Sequence, residues 1–311
     1  MEQFRTELTI TPRPLIHHGS AIVTTGSCFS DNIGQKLSES KFKTLVNPLG
    51  VCYNPVSIHK GLIIERPDED LFIESQGLWR HFDFHSRFSA NSKEELRKIL
   101  ESQLSIVRSY LSNAGTIILT YGTAWVYRHK ASGKIVANCH KRPQAEFEKL
   151  MLTQQQIIES FESIRSLQKN IVVTLSPVRH IKDTLELNAV SKAVVRHAIH
   201  LLKDVDYFPA YEIMMDDLRD YRFYQADMIH PSDVAIDYIW EKFGERYFSA
   251  ATKELNARWE KIQRSLKHHA FQRSSPQHKD FLHRLLEELR ELKTTIDVSH
   301  EIADIDHRLN A

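Results

Sequence analysis

Cysteine is scarce in this chain: three in 311 residues, an odd number with no C-x-x-C spacing. That excludes a disulfide framework and the paired-ligand pattern of a zinc site. Cys28, Cys52 and Cys139 with His140 are the one set that can be imagined around a metal; lacking paired spacing, it gives no reason to expect a metal or a cofactor. Long apolar runs are missing too. The longest, residues 116–121 and 171–175, fall far short of the roughly 20 residues a membrane-spanning helix needs, so no membrane partner is expected. There is no excess of charge of one sign: Lys plus Arg number 41 against 40 Asp plus Glu, a net charge of +1. Without a basic stripe, nucleic acid is not an expected partner. Residues 1–14 carry Glu2, Glu7 and two prolines where a signal peptide needs an unbroken apolar stretch; a soluble, cytoplasmic protein is the expectation.

What is present is ordinary globular material, 41% apolar and 26% charged, which excludes wholesale disorder. The length suits one large α/β unit with an appendage, or two modest domains. Short β-branched runs mark strands at residues 21–25 (AIVTT), 116–121 (TIILTY), 171–175 (IVVTL) and 205–208 (VDYF), with a shorter one at 44–46. Each is brief, continuous and apolar, the pattern of strands buried on both faces of a parallel sheet. Helical periodicity fills the gaps at 31–40, 93–112, 153–168, 188–203 and 232–248. Ser92 with Glu95 reads as a capping box, and Thr153 as an N-cap. Strand alternating with helix predicts a doubly wound α/β sheet whose ligand lies beyond the carboxyl ends of the strands.

Past residue 250 no strand is evident. Phe281, Leu282, Leu285, Leu286, Leu289 and Leu292 form an apolar stripe on a charged helix, after a linker at 273–277 (RSSPQ). The division predicted is 1–250 as an α/β domain and 251–311 as a helical extension. The extension is too short to be very stable alone; it either packs back on the core or pairs with another chain, which would make a homo-oligomer.

Two segments carry chemistry. The first strand runs into Gly26-Ser27-Cys28-Phe29-Ser30 as a helix begins. A glycine permits a tight turn, the serine projects from the strand end, and unpaired amides at a helix start suit an oxyanion. Ser27 equally fits a plain N-cap. The second is Asp227-Met228-Ile229-His230-Pro231 before the last helix of the sheet region. A serine hydroxyl needs a base, histidine is the usual one, and an acid on its other ring nitrogen fixes the tautomer. Asp227 and His230 can meet within one loop, with Pro231 starting the helix. The plainer alternative is a surface histidine beside a capped helix.

These two segments together resemble the SGNH/GDSL hydrolase superfamily. More narrowly, Gly26-Ser27-Cys28-Phe29-Ser30 is similar to the signature of the GSCFA family, which has alanine where Ser30 stands. Further segments resemble that family in order: Asn47-Pro48-Leu49-Gly50, Tyr121-Gly122-Thr123-Ala124-Trp125, Asn138-Cys139-His140-Lys141, Ser176-Pro177-Val178-Arg179-His180, and residues 222–231. The likeness spans roughly residues 20–245 and leaves the tail uncovered. It implies a three-layer α/β/α flavodoxin-like fold and a carboxyl-ester hydrolase site. Ser27 would be the nucleophile, His230 the base and Asp227 its orienting acid, with the amides of Ser27 and Gly50 holding the oxyanion. An O-acyl group on a sugar or glycan is the implied substrate. Acyl transfer to another hydroxyl is a close variant, and a non-catalytic binding module on the same fold is the rival from another class. The superfamily places an Asn in a Gly-x-Asn segment as third oxyanion donor. Here the segment is Gly122-Thr123-Ala124, leaving Thr123, Asn138 or His140 to replace a donor worth about 3–4 kcal/mol.

Other positions offer substrate contacts. Arg179 can clamp an anionic group or simply pair with Asp183. His180 competes as a base but has no acid three residues before it. Trp79, in the aromatic segment 78–88, suits a sugar face or ordinary core packing, and 125–127 leans to core. His140 is a substrate contact or a packing residue.

Overall fold

The computed structural model describes residues 7–267 and 275–310. The first half contains β1 (Ala21–Gly26), α1 (Cys28–Glu39), β2 (Thr44–Val46), α2 (Pro55–Ile63), β3 (Phe72–Ser75), β4 (Leu78–His81), α3 (Lys93–Asn113) and β5 (Ala114–Tyr121). There follow β6 (Trp125–His129), β7 (Ile135–Val136), β8 (Phe147–Met151), α4 (Gln154–Glu162), β9 (Asn170–Leu175), α5 (Leu185–Leu201) and β10 (Asp206–Phe208). A short α6 (Ala210–Glu212) runs into a π-turn, and α7 (Asp233–Tyr247), α8 (Ala250–Leu266), α9 (Pro276–Leu292) and α10 (Ser299–Asn310) complete the chain.

The core is a five-stranded sheet ordered β10-β9-β5-β1-β2, parallel throughout. Successive side chains of a strand face opposite ways, and the two faces are both apolar. Val23, Ile117, Leu119 and Val173 pack with α2, α3, α4 and α5, whereas Ile22, Ile118 and Val172 pack with Phe29, Ile33, Ile239 and Phe243 of α1 and α7. Burial on both faces is why these strands read as unbroken apolar runs. The result is a three-layer α/β/α fold. Strand order reverses between β1 and β5, the crevice where such sheets bind ligands.

Several elements differ from the sequence expectation. Helix α1 starts at Cys28, three residues early, with Ser27 as N-cap. Helix α4 stops at Glu162, since a 3-10 turn and a left-handed Gln168 (φ 50°) turn the chain into β9. Ser92 caps α3, but the Glu95 carboxylate reaches the Asn91 amide, so no reciprocal box closes; at Thr153 the full box is present. Pro231 does not open the last helix: Ser232 caps α7, which starts at Asp233. Helix α2, the β3–β4 hairpin and the β7-β6-β8 sheet had no counterpart in the periodicity. α2 is nine residues long and is buried on much of its circumference, so its stripe is indistinct; Asn54 caps it by accepting the Ser57 amide at 2.9 Å.

The apolar stripe of α9 is consumed within the chain. Leu282, Leu285, Leu286, Leu289 and Leu292 pack against Trp259 and Ile262 of α8, Ile296 and Val298 of the α9–α10 connection, and Ile305 of α10. This small core docks on the end of α1, where Trp259 Nε1 and Gln263 Nε2 both donate to the Glu39 carbonyl (2.7 and 2.9 Å) and Lys41 pairs with Glu301 at 2.7 Å. Helix α1 leaves the carboxyl edge of the sheet, so its far end and the tail lie toward the opposite edge. In the linker, Arg273 and Ser274 lie outside the described residues, as do residues 1–6 of the N-terminal segment; Ser275 is the N-cap of α9 and Pro276 its first residue. Among the described residues no helix is long and apolar enough to cross a membrane.

Candidate active site

Gly26 sets the geometry at the end of β1. Its φ is +144°, and a Cβ there would sit 2.2 Å from the Thr120 carbonyl, so only glycine lets β1 pass β5 this closely. Its amide donates to Asn47 Oδ1 at 2.8 Å, and Asn47 Nδ2 donates to Asp31 Oδ1 at 2.6 Å. The buried Asn47 thus ties the loop after β2 to both β1 and α1. Ser27 follows in unstrained extended backbone (φ −66°, ψ 173°) at the cap of α1, yet its side chain makes no capping bond. Fully buried, its hydroxyl donates to Ser176 Oγ at 2.9 Å. The capping alternative explains its place in the chain but not the direction of its hydroxyl.

The Asp227–His230 loop is closed by its own backbone. The Gln225 amide donates to the His230 carbonyl (2.8 Å), Met228 adopts a left-handed φ of 57°, and Asp227 Oδ1 accepts the amides of Ile229 and His230 (2.8 and 3.0 Å). Such self-bonding is what short polar side chains do in turns. His230 Nδ1–H donates to Asp227 Oδ2 at 2.6 Å. That bond, with the two amides, holds the exposed Asp227 carboxyl down to about 2. Because Nδ1 carries the hydrogen, Nε2 keeps a lone pair and can accept a proton. The loop is moored to the segment after β9: the Arg179 amide donates to the Ile229 carbonyl at 3.1 Å and its guanidinium to the Met228 carbonyl at 3.0 Å. Ser176 in that same segment holds Ser27. Ser27 and the dyad therefore stand on one edge of the sheet, linked through residues 176–179; among the described residues no hydrogen bond joins Ser27 to His230 directly.

The implied oxyanion donors are otherwise engaged. The Ser27 amide continues the parallel ladder to the Thr120 carbonyl (3.1 Å), and the Gly50 amide closes a turn onto the Asn47 carbonyl (2.8 Å). Gly50 is glycine because of its φ of +90° and because a Cβ would lie 2.1 Å from that of His85, rather than for the sake of a ligand. Thr123 Oγ1 pairs with Ser191 Oγ at 2.8 Å. His140 is buried with both ring nitrogens committed, Nδ1 to Ser86 Oγ and Nε2 to the His81 carbonyl, so neither is free to serve an oxyanion as it stands, although the residue borders the same cleft as Asn138. Asn138 is the exception. Its Oδ1 accepts the His140 amide, its Nδ2 has no acceptor among the described residues, and it lines a cleft of about 440 Å³ with Tyr53, His85, Tyr127, Lys141 and Lys182.

Trp79 packs with Phe72, Phe84 and Leu96 in the hairpin cluster, a core role. Arg179 does not pair with Asp183, which is held by Lys149; it lies against Tyr221 and Tyr224 and lines a pocket of about 260 Å³ with Met214, Met215 and Leu218. His180 sits edge-on to Tyr53, its Nε2 buried and without a hydrogen-bond partner among the described residues, and burial pushes it down to about 3. The cysteines fall in separate clusters: Cys28 against the α1/α7 face, Cys52 in the opposite core, where burial pushes its thiol up to about 12, and Cys139 beside Phe82 and Phe147. Among the described residues no three His, Cys, Asp or Glu side chains are grouped to hold a metal ion.

Two residues at the site carry no role that the sequence assigns: Ser176 stands there only within the segment 176–180 that resembles the family, and Lys192 only as one residue of a helix. Lys192 is 3% exposed, donates to the Ser176 carbonyl at 2.7 Å, and is pushed down to about 7 by burial.

Comparison with known proteins adds a family. The model described as the GSCFA family matches residues 21–243, and that of the GSCFA domain protein, C-terminal domain, matches residues 259–311. No curated protein matches the chain.

Proposed function

This chain belongs to the GSCFA family, and from that premise we propose that it is a serine-dependent carboxyl-ester hydrolase of the SGNH/GDSL type. The observation that carries this reading is the 2.6 Å contact of Asp227 with His230, in a loop moored to the sheet edge on which Ser27 stands. Ser27 Oγ attacks the ester carbonyl and His230 Nε2 takes its proton, then returns it to the departing alcohol. Asp227, ionised down to about pH 2, holds the ring tautomer and stabilises the imidazolium. The Ser27 hydroxyl must turn from Ser176 toward His230 to react, and catalytic hydrogen bonds in unliganded enzymes commonly tighten only once substrate binds. Asn138 takes the part of the missing third oxyanion donor.

The substrate is an O-acyl group, such as acetyl, on a sugar or glycan. The support is the cleft beside Tyr53, where aromatic rings, Asn138 and the lysines combine flat apolar faces with hydrogen-bonding groups. Transfer of the acyl group to another hydroxyl would use the same side chains. A binding module without catalysis is the second reading, favoured by the engaged amides of Ser27 and Gly50. Labelling with a serine-reactive fluorophosphonate, together with a panel of p-nitrophenyl esters, separates the two. Catalysis requires an adduct on Ser27 that is lost in His230→Ala. A folded protein that takes no label and cleaves no ester is the binding module.

A further inference from the structure

Ser176 directly follows β9, which is separated from β1 by β5, so its contact with Ser27 spans the strand between them. Its Oγ receives two donors, the Ser27 hydroxyl at 2.9 Å and the Val178 amide at 3.3 Å. A hydroxyl oxygen has two lone pairs and one proton; with both pairs occupied, the proton of Ser176 is what remains to be aimed. Behind it stands Lys192 of α5, its Nζ 2.7 Å from the Ser176 carbonyl. Among the described residues no carboxylate pairs with that ammonium. Burying a cation with one carbonyl and the face of the Tyr211 ring, 5.8 Å from its centre, as its partners is costly, and an apolar side chain would fill the same space without the cost. Burial already pushes this amine down to about 7.

Resting on Ser27 as the nucleophile, we propose that Ser176 is a further catalytic residue, switching from acceptor to donor at Ser27 Oγ, and that Lys192 is the positioning residue that fixes it. At rest Ser27 O–H donates to Ser176. On attack the Ser27 proton passes to His230 Nε2, the Oγ–C bond forms, and the carbonyl π pair moves onto the carbonyl oxygen. Ser27 Oγ has then lost its hydrogen, and the Ser176 hydroxyl turns to donate to it. The carbonyl re-forms as the bond to the leaving alcohol breaks, and His230 gives that alcohol the proton. In deacylation His230 takes a proton from the attacking water, the Oγ–C bond breaks with its electron pair returning to Oγ under the same hydrogen bond, and His230 then protonates Oγ. The interaction is stronger when charge develops on Oγ than in the ground state, the condition for raising a rate rather than tightening binding.

The test uses the full chain and the fluorophosphonate itself, separating the maximal labelling rate from the half-saturating concentration. Thermal midpoints are measured alongside. Ser27→Ala takes no label. Ser176→Ala labels at least about tenfold more slowly at saturation, its half-saturating concentration within about twofold of wild type, and Ser176→Thr, which keeps the hydroxyl, recovers most of the loss. Lys192→Met, folded, shows the same slowing at unchanged half-saturation. If the alanine variant does not fold, the nearly isosteric Ser176→Cys, a weak donor, carries the test with the same slowing expected. Folded Ser176→Ala or Ser176→Cys labelling at the wild-type rate, with Ser27→Ala silent, overturns the proposal and leaves Ser27 as nucleophile. A wild-type protein with no adduct on Ser27 removes the underlying reading, and the proposal with it.

Discussion

Asp227 meets His230 twice: Oδ2 accepts from the ring Nδ1 at 2.6 Å, and Oδ1 from the same residue's amide at 3.0 Å. One carboxylate thus fixes both the backbone of the histidine and its tautomer. Asp227→Asn keeps an oxygen for the amides but sets an NH₂ against Nδ1, which forces the ring proton onto Nε2. The esterase rate is expected to fall about 10³–10⁴-fold, with the thermal midpoint within a few degrees of wild type. Steady-state kinetics beside thermal denaturation checks this. The carboxyl is held at about 2, so any loss of activity between pH 7 and 4 does not come from protonating Asp227.

Lys192 makes stability depend on pH. Its folded pKa lies below that of the unfolded chain, so between about 7 and the usual lysine value near 10.5 the unfolded state binds more protons and stability rises with pH. The group facing it with the largest influence is Cys28, whose thiolate would favour the charged amine. In Lys192→Met this rise is absent. The advantage of the variant over wild type is expected to be greatest below pH 7, on the order of a few kcal/mol, and to shrink toward pH 10. Denaturant midpoints at pH 6, 8 and 10 measure it; a constant gap across that range contradicts the burial.

Gly26→Ala puts a Cβ 2.2 Å from the Thr120 carbonyl at a φ of +144°. Backbone must move at the junction of β1 and β5, with an expected cost of about 3 kcal/mol or more, read as a lowered thermal midpoint and loss of fluorophosphonate labelling.

Leu289, fully buried at the centre of the C-terminal helices, tests the separation of the tail from the site. Leu289→Ala is expected to cost about 2–5 kcal/mol in that cluster while leaving the labelling rate of Ser27 unchanged at temperatures where the protein stays folded. A proportionate fall in labelling would show that the tail reaches the site.

The sheet was legible because its strands are buried on both faces: runs such as IVVTL have no polar face to hide them. The added strands were not: β7 has two residues and β3 and β4 four each, and they pair antiparallel without the apolar run that marks even the three-residue β2 and β10. At the site, Ser27, Asp227 and His230 could be picked out from sequence by residue type and spacing, and the local loop 227–230 closes as its spacing suggests. Contacts between distant segments could not. Nothing in the composition of α5 marks Lys192 against any other lysine, and the partners of the His140 ring, Ser86 and the His81 carbonyl, lie 54 and 59 residues away along the chain.

By itself the sequence determined the parallel α/β layering, the glycine-serine turn after β1 and the Asp–His pair, because each depends on side chains within a few residues of one another. Only the tertiary structure decided which way the Ser27 hydroxyl turns, which amides are already spent, and that Ser176 and Lys192 stand behind Ser27. Those contacts join residues 149 apart and 16 apart across strands and a helix, and they exist only once the packed sheet has excluded water and made every buried polar group find a partner.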